Sequence, residues 1–350
     1  MIKEYFYKDI LPSLISCGVG LAFSLVVLVV LSGNPVNTVA DFFTGVFASP
    51  FYFGLLLNTS SLFMWAAVGA CLAMRSGSLN LGGEGQVYLS GFVAAVVFAN
   101  TSFPFVLRVI LACAASCFAG FFCTAVPALL KRYRGSSELL TSFLVSAFTI
   151  PLVDAAIAGP FRDSSRNLLA TPYIPEQMRL KSILPPSALN MSFFLALFFC
   201  LAVGFFLFRT KKGRDFSLCG KAPKFARYAG VPVESNSFAG LVLSGICHGL
   251  TGFFAVWGTY YTCHSGFYVG MGWNALSCAL IARSNPFAVI PSSFLMAWIF
   301  TAVDRASMVS NFSFDMESLV QGIILFCVSA QFVFKYAKNC DRRRKNGLSV

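Results

Sequence analysis

The chain has 350 residues, of which 57% are hydrophobic and only 11% are charged, and its formal net charge is +12. Soluble domains carry about 25% charged residues, so this composition excludes a soluble globular protein and indicates an all-α integral membrane protein. The basic residues lie between apolar segments and at the C-terminus, which is the positive-inside pattern and argues against binding to nucleic acid.

Apolar runs that are long enough to cross a bilayer follow one another along the whole sequence. A spanning helix needs about 20 mainly apolar residues, and the pattern predicts about ten such helices in a single membrane domain covering 1–350. A surface helix is predicted in the first external connection, at 38–48. The predicted spans lie near 11–31, 55–74, 87–100, 105–130, 139–158, 191–208, 238–257, 273–282, 286–303 and 316–336.

The distribution of lysine and arginine orients these helices. Most of the 26 basic residues fall at the N-terminus, in the cluster Lys131–Arg134, in the loop 209–237 and in the tail 337–350. The positive-inside rule places these segments in the cytoplasm. We therefore expect a multi-pass protein with both termini cytoplasmic and with the connection 161–190 outside.

The segment between the second and third predicted helices is rich in glycine and polar residues, and it reads Arg75-Ser-Gly-Ser-Leu-Asn-Leu-Gly-Gly-Glu-Gly-Gln86. Irregular backbone at membrane depth persists only where protein or a wet cavity satisfies its polar groups. The segment predicts a break between helices that lines a path or a packed joint, and we favour the path. Glu84 stands out because an intramembrane carboxylate is costly. It could contact solute, pair with Arg75, or cap the third helix.

A second break, 258–272, carries no charge and follows the seventh predicted helix. Each break follows the second helix of a five-helix half, and the halves cover about 1–160 and 190–336. Because five is odd, the two halves would be inverted. Paired interruptions at matching positions of inverted halves are the best sequence indication of a transport site. The alternative is coincidence, since glycine is common in membrane helices.

The sequence contains no catalytic or metal-binding constellation. It lacks a Gly-x-Ser-x-Gly motif, a His-Glu-x-x-His motif and a phosphate loop, and its two histidines, His248 and His264, are too few for a metal cage. His264 is interpreted as an interfacial histidine in preference to a solute contact. Most of the 12 cysteines lie in apolar runs, where cysteine acts as a small hydrophobe. We predict a chain without enzymatic activity, metal or cofactor.

The loop 213–231 is basic and is punctuated by glycine and proline, with a short helix predicted at 224–229. Such a helix is too short to be stable alone and would gain stability by docking into a groove of a partner. A solvated inner loop is the alternative.

Three stretches resemble the family of ABC importer permeases that handles ribose, branched-chain amino acids, nucleosides and riboflavin. Residues 75–86 are similar to its glycine-rich signature, 213–231 to its cytoplasmic coupling loop, and 270–286 to its segment before the eighth helix. The combination of Asn80 with Glu84-Gly85-Gln86 is most similar to the nucleoside and riboflavin branch.

Four residues depart from the family pattern. Ser217-Leu218 replaces the usual arginine-alanine, Ala222 replaces an asparagine, and Asn274 replaces an aspartate. These departures leave open how tightly the chain binds its ATPase and whether it pairs with a second, different permease.

The resemblance implies the permease subunit of an ATP-driven importer in a bacterial cytoplasmic membrane, with a path for a small polar heterocycle such as riboflavin or a nucleoside. The implied partners are a cytoplasmic ATP-binding subunit that holds ATP and Mg²⁺, a second identical or different permease, an external solute-binding lipoprotein, and lipid. A permease for a sugar or a branched-chain amino acid, and an ion-coupled secondary transporter using Glu84 or Asp154, are the alternatives.

The resemblance also implies two sets of site residues. The substrate path is assigned to Asn80, Gly82, Gly83, Glu84, Gly85, Gln86, Gly270, Gly272, Trp273 and Asn274, and the coupling to the ATPase is assigned to Gly213, Gly220, Pro223, Ala226, Arg227, Tyr228 and Gly230.

Overall fold

A computed structural model describes residues 11–31, 35–310 and 318–327. Within these residues the chain is helical, and its only β-type pairings are two isolated bridges. The helices are α1 (Leu11–Leu31), α2 (Pro35–Thr44), α3 (Pro50–Arg75), α4 (Gly83–Asn100), α5 (Phe105–Arg134), α6 (Glu138–Ala158), α7 (Ser192–Arg209), α8 (Lys211–Lys221), α9 (Pro223–Tyr228), α10 (Val233–Phe254), α11 (Met271–Ile281), α12 (Pro286–Ser310) and α13 (Ser318–Cys327).

Six of the described helices are long and apolar enough to cross a membrane: α3, α5, α6, α7, α10 and α12. Shorter apolar helices occur in α1, α11 and α13. The multi-pass, all-helical prediction is therefore confirmed, whereas the count of about ten spans stays a prediction. The ends of the predicted tenth span, 316–336, and the whole tail 337–350 lie outside the described residues.

Several helices extend beyond their predicted bounds because local capping residues permit it. Helix α3 begins at Pro50, a residue with a preset helical φ angle, and Ser49 Oγ accepts a hydrogen bond from Phe51 N at 3.3 Å. Helix α5 continues through the basic cluster and ends at Gly135, which has φ 65°. A left-handed glycine is a common helix terminator, and basic residues in the last turn complement the helix dipole.

Helices α3 and α10 form the centre of the protein. In the most apolar 18-residue stretch of each helix, 83% of the residues of α3 and 78% of those of α10 are buried. The corresponding fractions are 28% for α6 and 33% for α5 and α7. The peripheral helices expose phenylalanine rings on their outer faces, as expected for surfaces that contact lipid: Phe118, Phe122, Phe148, Phe198 and Phe205. Small residues let α5 approach α10 closely, since a Cβ on Gly249 would lie 2.6 Å from Ser116 O.

Helix α2, the predicted surface helix, is fixed against α12. The ring of Phe42 packs edge-on against Trp298 with centroids 5.4 Å apart. Arg305 lies 3.8 Å from the Asp41 carboxylate and stacks over the ring of Tyr52. This pairing places α2 beside the C-terminal part of α12.

The connection between α6 and α7 packs against the second predicted break. Thr171 N donates to Cys263 O at 3.0 Å, and Ile174 N donates to Tyr261 O at 2.8 Å. The indole Nε1 of Trp257 donates to Met178 O at 2.7 Å. The connection therefore forms one surface with the segment between α10 and α11.

Candidate functional site

The first break is shorter than the sequence predicts, because α4 begins at Gly83 and not near residue 87. Three backbone N–H groups at its start receive side-chain acceptors: Leu81 N donates to Ser142 Oγ, Gly82 N to Asn80 Oδ1, and Gly85 N to Ser146 Oγ. The unpaired N–H groups of a first helical turn need such partners. The irregular part of the chain is therefore residues 76–82.

The side chains of Asn80 and Gln86 close this break on itself. Asn80 Nδ2 donates to Gln86 Oε1 at 2.8 Å, and Gln86 Nε2 donates back to Asn80 Oδ1 at 2.9 Å. Asn80 Nδ2 also donates to Ser244 Oγ of α10 at 3.0 Å. Both amides are buried and paired within the protein, so in this conformation they stabilise a packed joint.

Two glycines of the predicted path serve close packing against α6. A Cβ on Gly82 would lie 2.6 Å from Ser142 O, and a Cβ on Gly85 would lie 2.7 Å from the Cα of Ser146. Real Cβ contacts are not this short, so any larger residue would displace α6.

The second break also differs from its prediction. Helix α10 continues as a π-helical turn, Ala255–Tyr260, and ends at Tyr261 with φ 58°. Helix α11 starts at Met271, directly after Gly270 with φ 82°, so Gly272, Trp273 and Asn274 belong to its first turn. The irregular part is the loop 261–270.

The starts of α4 and α11 lie in direct contact. A Cβ on Gly83 would lie 3.0 Å from Gly272 Cα and 2.8 Å from His248 Nε2, and a Cβ on Gly272 would lie 2.8 Å from Glu84 Cγ. The structure therefore brings the first predicted path segment against the second. We refer to this contact of Gly83, Glu84, Gly270 and Gly272 as the inter-break joint.

Glu84 links the two breaks electrostatically. Its Oε1 accepts a hydrogen bond from Gly270 N at 2.9 Å, and the backbone of Trp273 is close to the same carboxylate. A carboxylate at a helix N-terminus is favourable because it meets unpaired N–H groups and the positive end of the dipole. Glu84 lies in the first turn of α4, as the capping alternative expects, but its carboxylate accepts its hydrogen bond from Gly270 N at the start of α11. Arg75 Nε donates instead to Ser284 O at 2.8 Å.

The predicted coupling loop consists of α8 and α9, and its short helix lies within one residue of the prediction. Gly213 and Gly220 permit close packing, since a Cβ on Gly220 would lie 2.5 Å from Arg75 O and one on Gly213 would lie 2.5 Å from Leu207 Cα. Ala226 is buried, whereas Phe225 and Tyr228 are 61% and 94% exposed.

The remaining predicted coupling residues lie at the two ends of α9. Pro223 occupies its first turn, where proline is well tolerated. Arg227 forms an ion pair with Glu234 at the start of α10. Gly230 has φ 77°, and a Cβ there would meet no atom within 4 Å. Glycine is therefore favoured at this position by its left-handed backbone conformation and not by close packing.

The coupling loop contacts the first break directly. Gly77 has φ 82°, and a Cβ there would lie 3.3 Å from Cys219 O and 3.4 Å from Gly220 Cα. Lys131 Nζ donates to Gly77 O at 3.1 Å and to Ser78 Oγ at 2.9 Å. Burial raises the pKa of the Cys219 thiol at this contact, so the thiol stays neutral near pH 7.

Two cavities lie at opposite ends of α11. The larger, about 620 Å³, lies on the α8–α9 side and is lined by Gly77, Leu81, Leu280 and Arg283. The smaller, about 380 Å³, lies on the side of the loop 261–270 and is lined by Gly270 and Asn274, among others. Both volumes are in the range of small-molecule sites.

Sequence reasoning missed the polar residues of neighbouring helices that hold the breaks. Ser142 and Ser146, spaced four apart in an apolar helix, were the available signal for one helix face that contacts polar backbone. Asp154 accepts hydrogen bonds from Tyr88 Oη at 2.6 Å and Ser265 Oγ at 2.8 Å. In the part of the chain that the structure describes, no three His, Cys, Asp or Glu side chains group as metal ligands.

Comparison with known proteins gives a consistent result. The family model described as "Branched-chain amino acid transport system / permease component" matches residues 52–329. The chain is 37% identical over 328 residues, covering 93% of this chain and 86% of the relative, to "Probable riboflavin import permease protein RfuC" of Treponema pallidum (strain Nichols).

More distant relatives carry other solutes in their names. The chain is 23% identical over 344 residues to "Guanosine ABC transporter permease protein NupP" of Bacillus subtilis (strain 168), covering 96% of this chain and 97% of that protein. It is 24% identical over 333 residues to "Glucose ABC transporter permease protein TsgB13" of Haloferax volcanii, covering 90% of this chain and 86% of that protein.

Proposed function

Because the chain belongs to the family of branched-chain amino acid transport system permease components, we propose that it is the riboflavin-conducting subunit of its ABC importer. The observation that carries this solute assignment is the 37% identity to a riboflavin import permease over 93% of the chain. The arrangement of Asn80 with Glu84, Gly85 and Gln86 supports the same branch.

A nucleoside is the second candidate solute. The guanosine permease aligns over 96% of this chain, and a nucleoside shares with riboflavin a flat heterocycle that carries a hydroxylated chain or sugar. Glucose and branched-chain amino acids rank lower because neither solute has a flat ring; the identities to the glucose relative, 24%, and to the guanosine relative, 23%, do not separate the two.

We propose that ATP hydrolysis takes place on a separate cytoplasmic chain that docks on α9. Support comes from the exposure of Phe225 and Tyr228, since large aromatic side chains are frequent anchors of protein interfaces. Lys224 and Arg227 beside them are exposed as well. ATP and Mg²⁺ would then reside on the partner, and this chain would bind neither.

The proposed cycle moves the inter-break joint. Displacement of α8 and α9 would push on Gly77 through the backbone contact with Gly220, and the first break would then shift against α11. Opening requires the contact of Gly83 with Gly272 and the hydrogen bond from Gly270 N to Glu84 to separate. A shift from a 1:99 to a 99:1 population needs about 5.5 kcal/mol of differential binding, which nucleotide-driven docking can supply.

The proposed topology places both termini, α8 and α9 in the cytoplasm of a bacterial cell, with the connection 161–190 outside. One membrane domain of two inverted halves, about 1–160 and 190–336, completes this proposal. A solute-binding lipoprotein would deliver riboflavin to the outer face, and a second permease subunit, identical or different, would complete the path.

An ion-coupled carrier is less well supported. The carboxylates that would bind its ion both have hydrogen-bond donors within the protein: Asp154 from Tyr88 and Ser265, and Glu84 from Gly270. These contacts favour structural roles for both groups.

The test is uptake of riboflavin into proteoliposomes that contain the permease, its co-purifying ATPase and the binding protein. We expect uptake that requires ATP and the binding protein, and that excess riboflavin inhibits more strongly than guanosine, glucose or leucine does. Uptake by the purified permease alone, driven by an ion gradient, would contradict the proposal. Stronger inhibition by guanosine would transfer the assignment to nucleosides.

A further inference from the structure

The cavity of about 380 Å³ beside the loop 261–270 has the composition of a binding site for a small polar ring compound. It lies within a single chain, between α3, the loop, α11, α12 and α13. Its walls combine the aromatic rings of Phe63, Phe267 and Phe300 with the polar side chains of Asn274, Asp304 and Gln321. Aromatic and apolar walls with a few polar groups are typical of ligand sites.

Asp304 is the charged group of this cavity. Among the residues that the structure describes, none donates a hydrogen bond to its half-buried carboxylate or forms an ion pair with it. The neighbouring Arg305 is directed elsewhere, towards Asp41 and the ring of Tyr52. Burial lowers the pKa of His264, which also lines the cavity, so this ring is neutral near pH 7. A half-buried carboxylate without donors is costly.

A second acceptor in the cavity wall lacks a donor. Asn274 is buried, and within the described chain its Oδ1 accepts no hydrogen bond. Buried polar atoms are normally paired, so an exception requires an explanation. Two acceptors without donors indicate a ligand that is rich in hydroxyl or N–H groups.

We propose that this cavity binds the solute before it passes the inter-break joint, with Asp304 accepting hydrogen bonds from the hydroxyl groups of a ribityl chain or ribose. This inference rests on the proposed function and deepens it. An ionised carboxylate offers only acceptors and can bind two hydroxyl groups at once, as acidic residues do for ribose in dinucleotide-binding folds. The flat ring of the solute contacts the aromatic walls.

The position of the cavity connects binding to the joint. Gly270 lines the cavity, and its N–H is the group that donates to Glu84. Gln321 of α13 reaches the same residue, since its Oε1 would lie 3.2 Å from a Cβ on Gly270. A solute held by Asp304 therefore lies next to the residue that joins the second break to the first.

The test compares ligands with and without neighbouring hydroxyl groups on the ribityl chain or ribose, on the permease–ATPase complex in lipid nanodiscs and without the binding protein. Riboflavin and lumiflavin, which lacks the ribityl hydroxyl groups, are titrated by flavin fluorescence. Guanosine and 2′,3′-dideoxyguanosine form the second pair, titrated by calorimetry. In the D304N variant we expect affinity for the hydroxylated member of the pair to fall about tenfold to a hundredfold, the loss typical of hydrogen bonds to a charged group. Affinity for the other member should not change.

Two variants control for effects on folding. D163N removes a carboxylate from the connection between α6 and α7, where Asp163 accepts hydrogen bonds from Ser165, and should bind like the unmodified protein. D304E retains the carboxylate and should restore part of the discrimination. Membrane insertion and ATPase co-purification should be equal in all variants.

The outcomes separate this inference from the proposed function. If the unmodified importer transports riboflavin and D304N keeps the same preference for riboflavin over lumiflavin, the inference is overturned. An equal loss for both members of a pair would make Asp304 a structural residue and also overturn it. If the effect occurs with guanosine and not with riboflavin, the inference stands and the solute assignment changes.

Discussion

At the scale of single residues, the inter-break joint depends on the absence of side chains. Gly83 and Gly272 approach so closely that a methyl group on either would overlap the backbone or side chain of the opposite break. Overpacking of this kind typically costs about 1–3 kcal/mol. The sequence shows these glycines, but only the structure shows that they face each other.

The substitution Gly272→Ala should reduce solute uptake at least several-fold, because its Cβ would lie 2.8 Å from Glu84 Cγ and would hold the two breaks apart. Uptake in proteoliposomes is the measurement. Gly322→Ala on α13 is the matched control, since a Cβ there meets no atom within 4 Å. Equal uptake by the two variants would show that the joint does not need this contact.

Glu84 allows a test of its cap on α11. Glu84→Gln keeps an oxygen acceptor for Gly270 N and should leave the thermal unfolding midpoint nearly unchanged. Glu84→Ala leaves the Gly270 N–H without a partner, which costs about 1–3 kcal/mol, and should lower the midpoint by a few degrees. Thermal unfolding of the purified complex measures both. A variant pair with the same midpoint would contradict the capping role.

At the scale of elements, the sequence predicts the long helices well, because apolar run length is a strong signal. Helix α1 and the short helix α9 lie within a residue of prediction. Helices α4 and α11 begin four and two residues earlier than predicted, because Gly83, Gly85 and Gly272 in their first turns have low intrinsic helix preference. Side chains that are distant in the sequence stabilise these helix starts by accepting hydrogen bonds from backbone N–H groups. Ser142 and Ser146 do so at the start of α4, and Glu84 does so at the start of α11.

The roles of the site residues were only partly predictable for the same reason. Composition and spacing identified Asn80, Glu84 and Gln86 as unusual, and the structure places all three in or beside the first break. Asn80 and Gln86 are hydrogen-bonded to each other and are close in the sequence, whereas Glu84 is hydrogen-bonded to Gly270, which is far away in the sequence. A pattern within one segment carries no information on which distant backbone group it meets.

Helix α9 is expected to hold the ATPase through its exposed rings. The double substitution Phe225→Ala and Tyr228→Ala should reduce co-purification of the ATPase at least tenfold, because aromatic anchors of an interface commonly contribute about 2 kcal/mol or more each. Affinity purification with quantification of both chains is the measurement. Tyr133→Ala is the control, since Tyr133 is 73% exposed at the end of α5. An equal loss of ATPase co-purification in Tyr133→Ala would indicate a general defect of folding or assembly and would contradict the docking role of α9.

At the scale of the whole molecule, the proposed topology rests on the charge distribution of the sequence. Protease-sensitive tags after Gly230 and after Arg166 should be cleaved from opposite sides of the membrane: the first only in inverted vesicles, the second in intact spheroplasts. This outcome follows from the excess of basic residues in the loop 209–237. Cleavage of the first tag in spheroplasts would reverse the assigned orientation, and the docking face of α9 with it.

The contact between Gly77 and Gly220 bears on how such importers diversify. Both sides of this contact consist of main-chain atoms, with Arg75 O and Cys219 O as the nearest neighbours. In the proposed cycle, the force that passes through this contact depends on the shape of the main chain and not on any particular side-chain functional group. In the proposed cycle, the departures from the family pattern at Ser217, Leu218 and Ala222 are therefore compatible with transmission of the movement to the first break. Under this proposal, the residues that select the solute and the residues that bind the ATPase can differ between permeases independently of each other.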